Sequence, residues 1–237
     1  MTLKRFLTAL ILLALPVFII MIQPSFGVAV ITIIGFIGIF MSIAVPKKYF
    51  LFSALILLVL APLVWGILKP YQKIRILSFV DPLKDRYGAG YNAIQAVISV
   101  GSGKIFGRGL GKGVQTQLAF LPEKHTDFIF ASVAEEMGFV GVSLLLLGIF
   151  IILLKLIVIF ENPISPAART YIAGFFLTLF AQTFIHAGMN LGFLPVTGIP
   201  FPLVSAGGSS LLATLSGLAI ALGAKKRYRL EEDFYSG

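Results

Sequence analysis

Six apolar runs, at 6–22, 26–45, 49–68, 128–160, 171–193 and 203–224, decide what this chain of 237 residues can fold into. Each approaches or exceeds the ~20 residues with which an α-helix crosses the hydrocarbon layer of a bilayer. Only Glu135, Glu136, Lys155 and His186 interrupt them with ionisable groups. A segment that is apolar on every side has no solvated face, and a backbone inside lipid must satisfy its own hydrogen bonds. The runs therefore predict an all-α polytopic membrane protein, one membrane domain over 1–237 with six transmembrane helices. Composition agrees, since 12% of the residues are charged, about half the share usual in a soluble domain. The first run follows Lys4-Arg5 without a small-x-small cleavage site before Gln23-Pro24, so it reads as a retained helix and not a signal peptide. With no cysteine in the chain, disulfides, thiolate nucleophiles and Cys-ligated metals are excluded.

Short loops set orientation. Lys4-Arg5, Lys47-Lys48, Arg169 and Lys225-Lys226-Arg227 with Arg229 all fall on one side, which the positive-inside rule makes cytoplasmic. Both termini are then cytoplasmic, and 69–127 is a long extracytoplasmic loop. Recurring Ile, Val, Phe and Leu argue that this loop is partly ordered, because long loops in compact proteins are either functional or disordered. It carries nine Lys or Arg against Asp81, Asp85, Glu123 and Asp127, a surplus of five. Such a surplus points to an anionic partner, whether membrane lipids or a charged substrate. No nucleic-acid motif accompanies the charge, so nucleic acid is not among the expected partners.

Within the loop, 91–100 has apolar residues at 94, 97 and 98 with Asn92, Gln95 and Ser99 elsewhere, the pattern of a short helix that lies on or dips into the bilayer. Gly101, Gly103, Gly107, Gly109, Gly111 and Gly113 follow, interleaved with Lys104, Arg108 and Lys112. Such a chain can turn tightly and offer backbone N–H groups to an anion, or it can be plain flexible turn. Neither a P-loop nor a dinucleotide fingerprint is present. Leu121 to Asp127, LPEKHTD, closes the loop at the start of the fourth run. Thr126 or Asp127 fits an N-cap, favoured by the helix dipole. A carboxylate there, beside His125 and several cations, also fits a general base acting on a hydroxyl at the membrane surface. No G-x-S-x-G elbow supports a hydrolytic triad. Glu135 and Glu136 lie two turns inside the run and are expected to face a cavity or a partner. Gln182, His186 and Asn190 recur every four residues as a polar seam that turns inward.

Taken together, Arg75-Ile-Leu-Ser-Phe-Val-Asp81-Pro82, Gly88-Ala-Gly-Tyr-Asn92, GRGLGKGVQTQLAFLPEKHTDFIFA over 107–131, AEEMGFVG over 134–141 and GMNLGFLPVTGIPFPLVSAGGSS over 188–210 resemble the SEDS family (shape, elongation, division and sporulation). Gly188-Met189-Asn190 and the 195–200 segment place it nearer the RodA branch than the FtsW branch. The resemblance implies a peptidoglycan glycosyltransferase for cell elongation and rod shape. Such an enzyme polymerises lipid II at the outer face of the bacterial cytoplasmic membrane, with a class B penicillin-binding protein as partner. It implies Asp127 as the catalytic carboxylate. Undecaprenyl diphosphate would leave against Arg75, Arg108, Lys112 and Lys124, with His125 and Ser209 also toward substrate. Glu135, Glu136, Gln182, His186 and Asn190 would line or brace the cavity. No cofactor is certain; a divalent cation, Mg or Mn, is the one candidate.

Two departures stand out. The family usually reads Gln-Pro-Asp and Ser-Tyr-Gly-Gly where this chain has Gln23-Pro24-Ser25 and Ser205-Ala206-Gly207-Gly208. The family also has about ten spans, and the six here correspond to the later ones. A fragment, a second polypeptide supplying the rest, or a non-catalytic scaffold for the penicillin-binding protein are the expectations this raises. Transport of lipid II, a flippase, is the rival use of the same cavity.

Overall fold

A computed structural model describes residues 3–23, 25–43, 66, 69–82, 85, 88–118 and 120–225. Their regular elements are helices: α1 (Leu3–Ile22), α2 (Phe26–Ser42), α3 (Pro70–Val80), α4 (Ala89–Gly103), α5 (Val114–Gln117), α6 (Ile129–Glu161), α7 (Pro166–Asn190) and α8 (Gly208–Gly223). Five of them fall on predicted runs; the run 49–68 lies outside the described residues apart from Gly66. Helices α6 and α7 are long and apolar enough to cross a bilayer, while Leu7–Ile22 of α1, α2 and α8 are shorter apolar helices. Two described helices thus meet the full spanning measure where six runs were expected.

Capping moves the boundaries. Helix α7 starts at Pro166, five residues earlier than the apolar pattern, because Ser165 Oγ accepts the Ala168 N–H at 3.2 Å and proline is suited to the first helical position. Helix α8 starts later than expected, since Ser205 Oγ accepts the Phe201 N–H at 2.8 Å and holds the preceding residues in a turn.

Helix α2 packs against α7 through small residues. A Cβ added at Gly38 would come within 2.5 Å of the Ala173 carbonyl, and one at Gly35 within 2.5 Å of Thr178 Oγ1. Where lipid surrounds the helices, close backbone approach replaces hydrophobic exclusion as the source of attraction. Leu153, Leu156 and Ile159 of α6 meet Ile172 and Leu179 of α7 in the main core. The Tyr171 hydroxyl donates to the Gly217 carbonyl at 3.0 Å, tying α7 to α8.

The described residues of 69–127 are largely ordered, and α4 contains the short helix expected at 91–100, with the apolar positions 97 and 98 turned away from the protein core. Ala96 and Ser99 are wholly buried, the former in a cluster with Leu121, Phe128 and Ala131, whereas Val97 and Ile98 are exposed. The reason is steric. A Cβ at Gly103 would lie 1.8 Å from the Ala134 carbonyl, so the two backbones touch and only small side chains fit along that face.

Helix α6 is not the continuous run expected. Gly138 leaves helical geometry at φ 68°, ψ −164°, and the glycine loop fills the break. In an unbroken helix Phe139 and Val140 would donate to the carbonyls of Glu135 and Glu136. Instead they donate to Lys104 (2.9 Å) and Ile105 (3.1 Å), while Arg108 and Gly109 donate to the freed Glu135 (2.9 Å) and Glu136 (3.0 Å) carbonyls. Four bonds to the loop replace two within the helix. Glu135 and Glu136 thus lie on the N-terminal side of this break, where their carbonyls meet the loop.

Candidate functional site

Three successive carbonyls fix the 125–127 segment. The Ala206 N–H donates to His125 O at 2.8 Å, Ser205 Oγ to Thr126 O at 2.8 Å, and Asn190 Nδ2 to Asp127 O at 3.1 Å. Asn190 is wholly buried; it also donates to His186 O at 2.8 Å and accepts the Ala131 N–H at 3.1 Å. It therefore braces the segment instead of lining a cavity. The expected N-cap is absent: Phe128 holds the capping position of α6 and no side chain caps it. The Asp127 carboxylate is thus left free of the helix amides. It faces the 195–200 turn, where a Cβ on Gly198 (φ 70°) would stand 3.5 Å from Oδ2. Burial raises this carboxyl above its ordinary 3.8, the charge of Glu123 raises it further, and the Arg75 guanidinium opposes both. A carboxylate shifted upward is the stronger base when ionised.

Glu135 is sealed. It is wholly buried, accepts the N–H groups of Gln115 and Thr116 at 2.9 Å each, and takes a short hydrogen bond from Thr116 Oγ1. Thr116 O in turn accepts from Lys124 Nζ at 2.7 Å, and Lys124 O accepts from Ser132 Oγ at 3.0 Å. A buried carboxylate satisfied by three donors is a structural anchor. Here it sets the 113–124 segment leading to Asp127. Glu136, half-buried, accepts from Gln117 Nε2 at 3.0 Å.

His186 is also wholly buried. Its Nδ1 donates to Ile199 O at 2.7 Å, which fixes the tautomer, and its ring meets Phe201 edge-on at 5.3 Å, leaving Nε2 without a partner among the described residues. Gln182 is half-buried on α7, and Ser209 stands exposed in the first turn of α8.

The basic residues divide. Arg75 on α3 acts on Asp127 electrostatically, and Lys124 is tied to Thr116. The Arg108 backbone pairs with residue 135, eight residues along α6 from Asp127 and therefore about 12 Å down the axis. Lys112, exposed, belongs to the same loop. The N–H groups of Gly107, Arg108, Gly109 and Lys112 all go to backbone carbonyls, so they do not form the anion-binding nest that the glycines suggested. Among the described residues no three His, Asp or Glu converge as metal ligands.

A model of the cell cycle protein family FtsW/RodA/SpoVE matches residues 1–229. The chain belongs to that family. Its relatives include peptidoglycan glycosyltransferase MrdB of Escherichia coli K12, 38% identical over 224 residues that make up 93% of this chain and 60% of the relative. Probable peptidoglycan glycosyltransferase FtsW of Alcanivorax borkumensis is 37% identical over 94% of this chain and 58% of its own length. A solved structure showing structural coordination of polymerization and crosslinking by a peptidoglycan synthase complex matches with TM-score 0.74 and 33% identity, over 90% of this chain and 59% of that one. The chain spans about three fifths of the length of the relatives it matches.

Ser205, Thr116 and Gly138 escaped the sequence reading. Ser205 lay in a motif read for its small residues, Thr116 had no spacing signal, and a glycine in an apolar run reads as tolerated helix. Of the two departures from the family pattern, Ala206 contributes its backbone N–H to His125, a bond independent of the side chain. Ser25 stands before α2 and makes no side-chain cap bond.

Proposed function

We propose that this chain carries the catalytic part of a peptidoglycan glycosyltransferase that polymerises lipid II at the outer face of the bacterial cytoplasmic membrane, working with a class B penicillin-binding protein. In this reading it is multi-pass, with 49–68 as a further span and both termini cytoplasmic. The observation that carries the proposal is Asp127: a carboxylate with a raised pKa, freed from capping, beside the Gly198 turn on a segment held by three clamps, with Arg75 near enough to oppose the shift. Asp127 accepts the proton of the acceptor GlcNAc 4-hydroxyl as its oxygen attacks C1 of the lipid-linked MurNAc. The bond from C1 to the diphosphate oxygen breaks with inversion, and undecaprenyl diphosphate leaves toward Arg75. Names of relatives support the chemistry. Transport would need a polar path along α7, and no observation favours it, since His186 and Asn190 are buried against backbone partners.

Polymerisation of lipid II by the native protein with its penicillin-binding partner tests this, comparing wild type with Asp127→Ala. Loss of polymer of about 100-fold or more is expected. Polymer formed at the wild-type rate by the variant would sink the proposal, and headgroup translocation persisting without polymer in either protein would establish transport.

A further inference from the structure

Helix α6 has 33 residues, about 50 Å at 1.5 Å per residue, against a hydrocarbon layer of about 30 Å. It is too long to lie wholly in lipid. The break at Gly138 says where it leaves. After it, 139–160 is uninterrupted apolar sequence except for Lys155, which lies close enough to the inner end to extend its ammonium to the headgroups. Before it come Glu135 and Glu136. The bilayer surface therefore falls at the level of Gly138, and the loop bonded into the break lies at that surface.

That loop is built unlike a solvated one. Phe106 is 81% exposed, Leu110 73%, Ile105 60%, and Phe139 beside them 70%. Lys104, Arg108 and Lys112, all exposed, alternate with them, and residues 102–108 line an open hollow of about 490 Å³. The backbone is committed to α6 by four hydrogen bonds, so the side chains are held outward by a fixed frame. Apolar side chains with interleaved cations, at the depth where tails meet phosphates, match an anionic lipid leaflet in both polarity and charge.

We propose that 104–112 is an outer-leaflet anchor: Ile105, Phe106 and Leu110 insert among acyl chains, while Lys104, Arg108 and Lys112 bind the phosphate headgroups of anionic lipid. The anchor fixes the height of α6, and with it Asp127, above the membrane. It rests on the membrane placement of α6 and is independent of the sugar-transfer reading.

The chain has no cysteine, so Phe106→Cys supplies a unique attachment point for an environment-sensitive fluorophore, at a side chain exposed enough to leave packing untouched. The protein is placed in nanodiscs of phosphatidylcholine with or without phosphatidylglycerol, and no lipid-linked sugar is added. Nitroxide on shallow acyl positions is expected to quench the label strongly and aqueous iodide weakly, with the reverse order for a label at Glu123→Cys. Preference for spin-labelled phosphatidylglycerol over phosphatidylcholine should fall about fivefold per cation removed in Lys104→Gln with Arg108→Gln. Iodide quenching at 106 equal to that at 123 overturns the insertion. An unchanged lipid preference in the double variant overturns the headgroup contact, and protection of 106 only on adding the penicillin-binding protein makes the surface a protein interface instead.

Discussion

The glycine loop of 104–109 and the triplet His125-Thr126-Asp127 are both fixed, by opposite means. The loop is held through its own backbone, inserted into a break in the helix, and the glycines permit that contact. The backbone of the triplet is held by groups from far along the chain, Asn190, Ser205 and Ala206; of its side chains, Thr126 bonds locally to Glu123 and Asp127 is not used as a helix cap. One region uses its amides on the fold; the other keeps a carboxylate out of it. The conspicuous glycines thus mark structure, and the inconspicuous Asp127, which resembles a cap, is the residue to which the proposed function assigns the chemistry.

The strongest way to break this contrast is Gly138→Ala. The residue sits at φ 68°, and a Cβ would lie 2.3 Å from Gly107 N and 2.4 Å from Ile105 O. The loop must be expelled or the helix distorted, at a cost of about 3–5 kcal/mol. A large drop in melting temperature in detergent is expected, with amide exchange rising at 104–109. A variant as stable as wild type would show that the loop is not locked.

Asn190→Ala comes next. It removes the donor to Asp127 O and the acceptor for Ala131 N–H in a wholly buried site, worth about 2–3 kcal/mol. Because the triplet moves while Asp127 survives, polymerisation should fall by about 100-fold in kcat with KM little changed. Equal losses of stability with unaltered kcat would mean that the clamp does not position the carboxylate. Glu135→Gln is milder, about 1–2 kcal/mol, since one oxygen still accepts but an NH2 group now meets a donor on Thr116. Faster exchange of the Gln115 and Thr116 amides is the readout.

Much of the helical frame was legible because apolar length is a local property. Runs 6–22, 26–45, 128–160, 171–193 and 203–224 each contain a helix, shifted at the ends by Ser165 and Ser205, whose capping depends on the turn geometry around them. The helix at 91–100 was legible from its apolar positions, but its protein-facing side was not, because contact with the Ala134 carbonyl selects the small residues Ala96, Ser99 and Gly103 there. At the candidate site, the position of Asp127 just before α6 was legible from the start of the apolar run. The roles of Asn190 and Glu135 were not, because a buried polar residue on a helix reads equally as lining or brace until its partners are known. Those partners lie 63 and 20 residues away.

The smallest effect sharpens the contrast most. Asp127→Asn keeps the shape of the side chain and deletes its charge. The carboxyl is raised above 3.8 in the folded protein, by burial first and then by Glu123, so the fold binds its proton more tightly than the unfolded chain does. That contribution is fully present below the unfolded value and is lost as pH rises through the folded one. At neutral pH the ionised carboxylate therefore weakens the fold, and Asp127→Asn should raise the melting temperature slightly, on the order of 1 °C, while polymerisation is lost. The gain should vanish in acid, where the wild-type carboxyl is protonated too. Arg75→Gln, which removes an opposing charge, should move the acid limb of the activity profile to higher pH. Melting curves across pH check the sign: a gain that grows in acid would mean that Asp127 stabilises the fold as an anion, like a cap, and the contrast with the glycine loop would disappear.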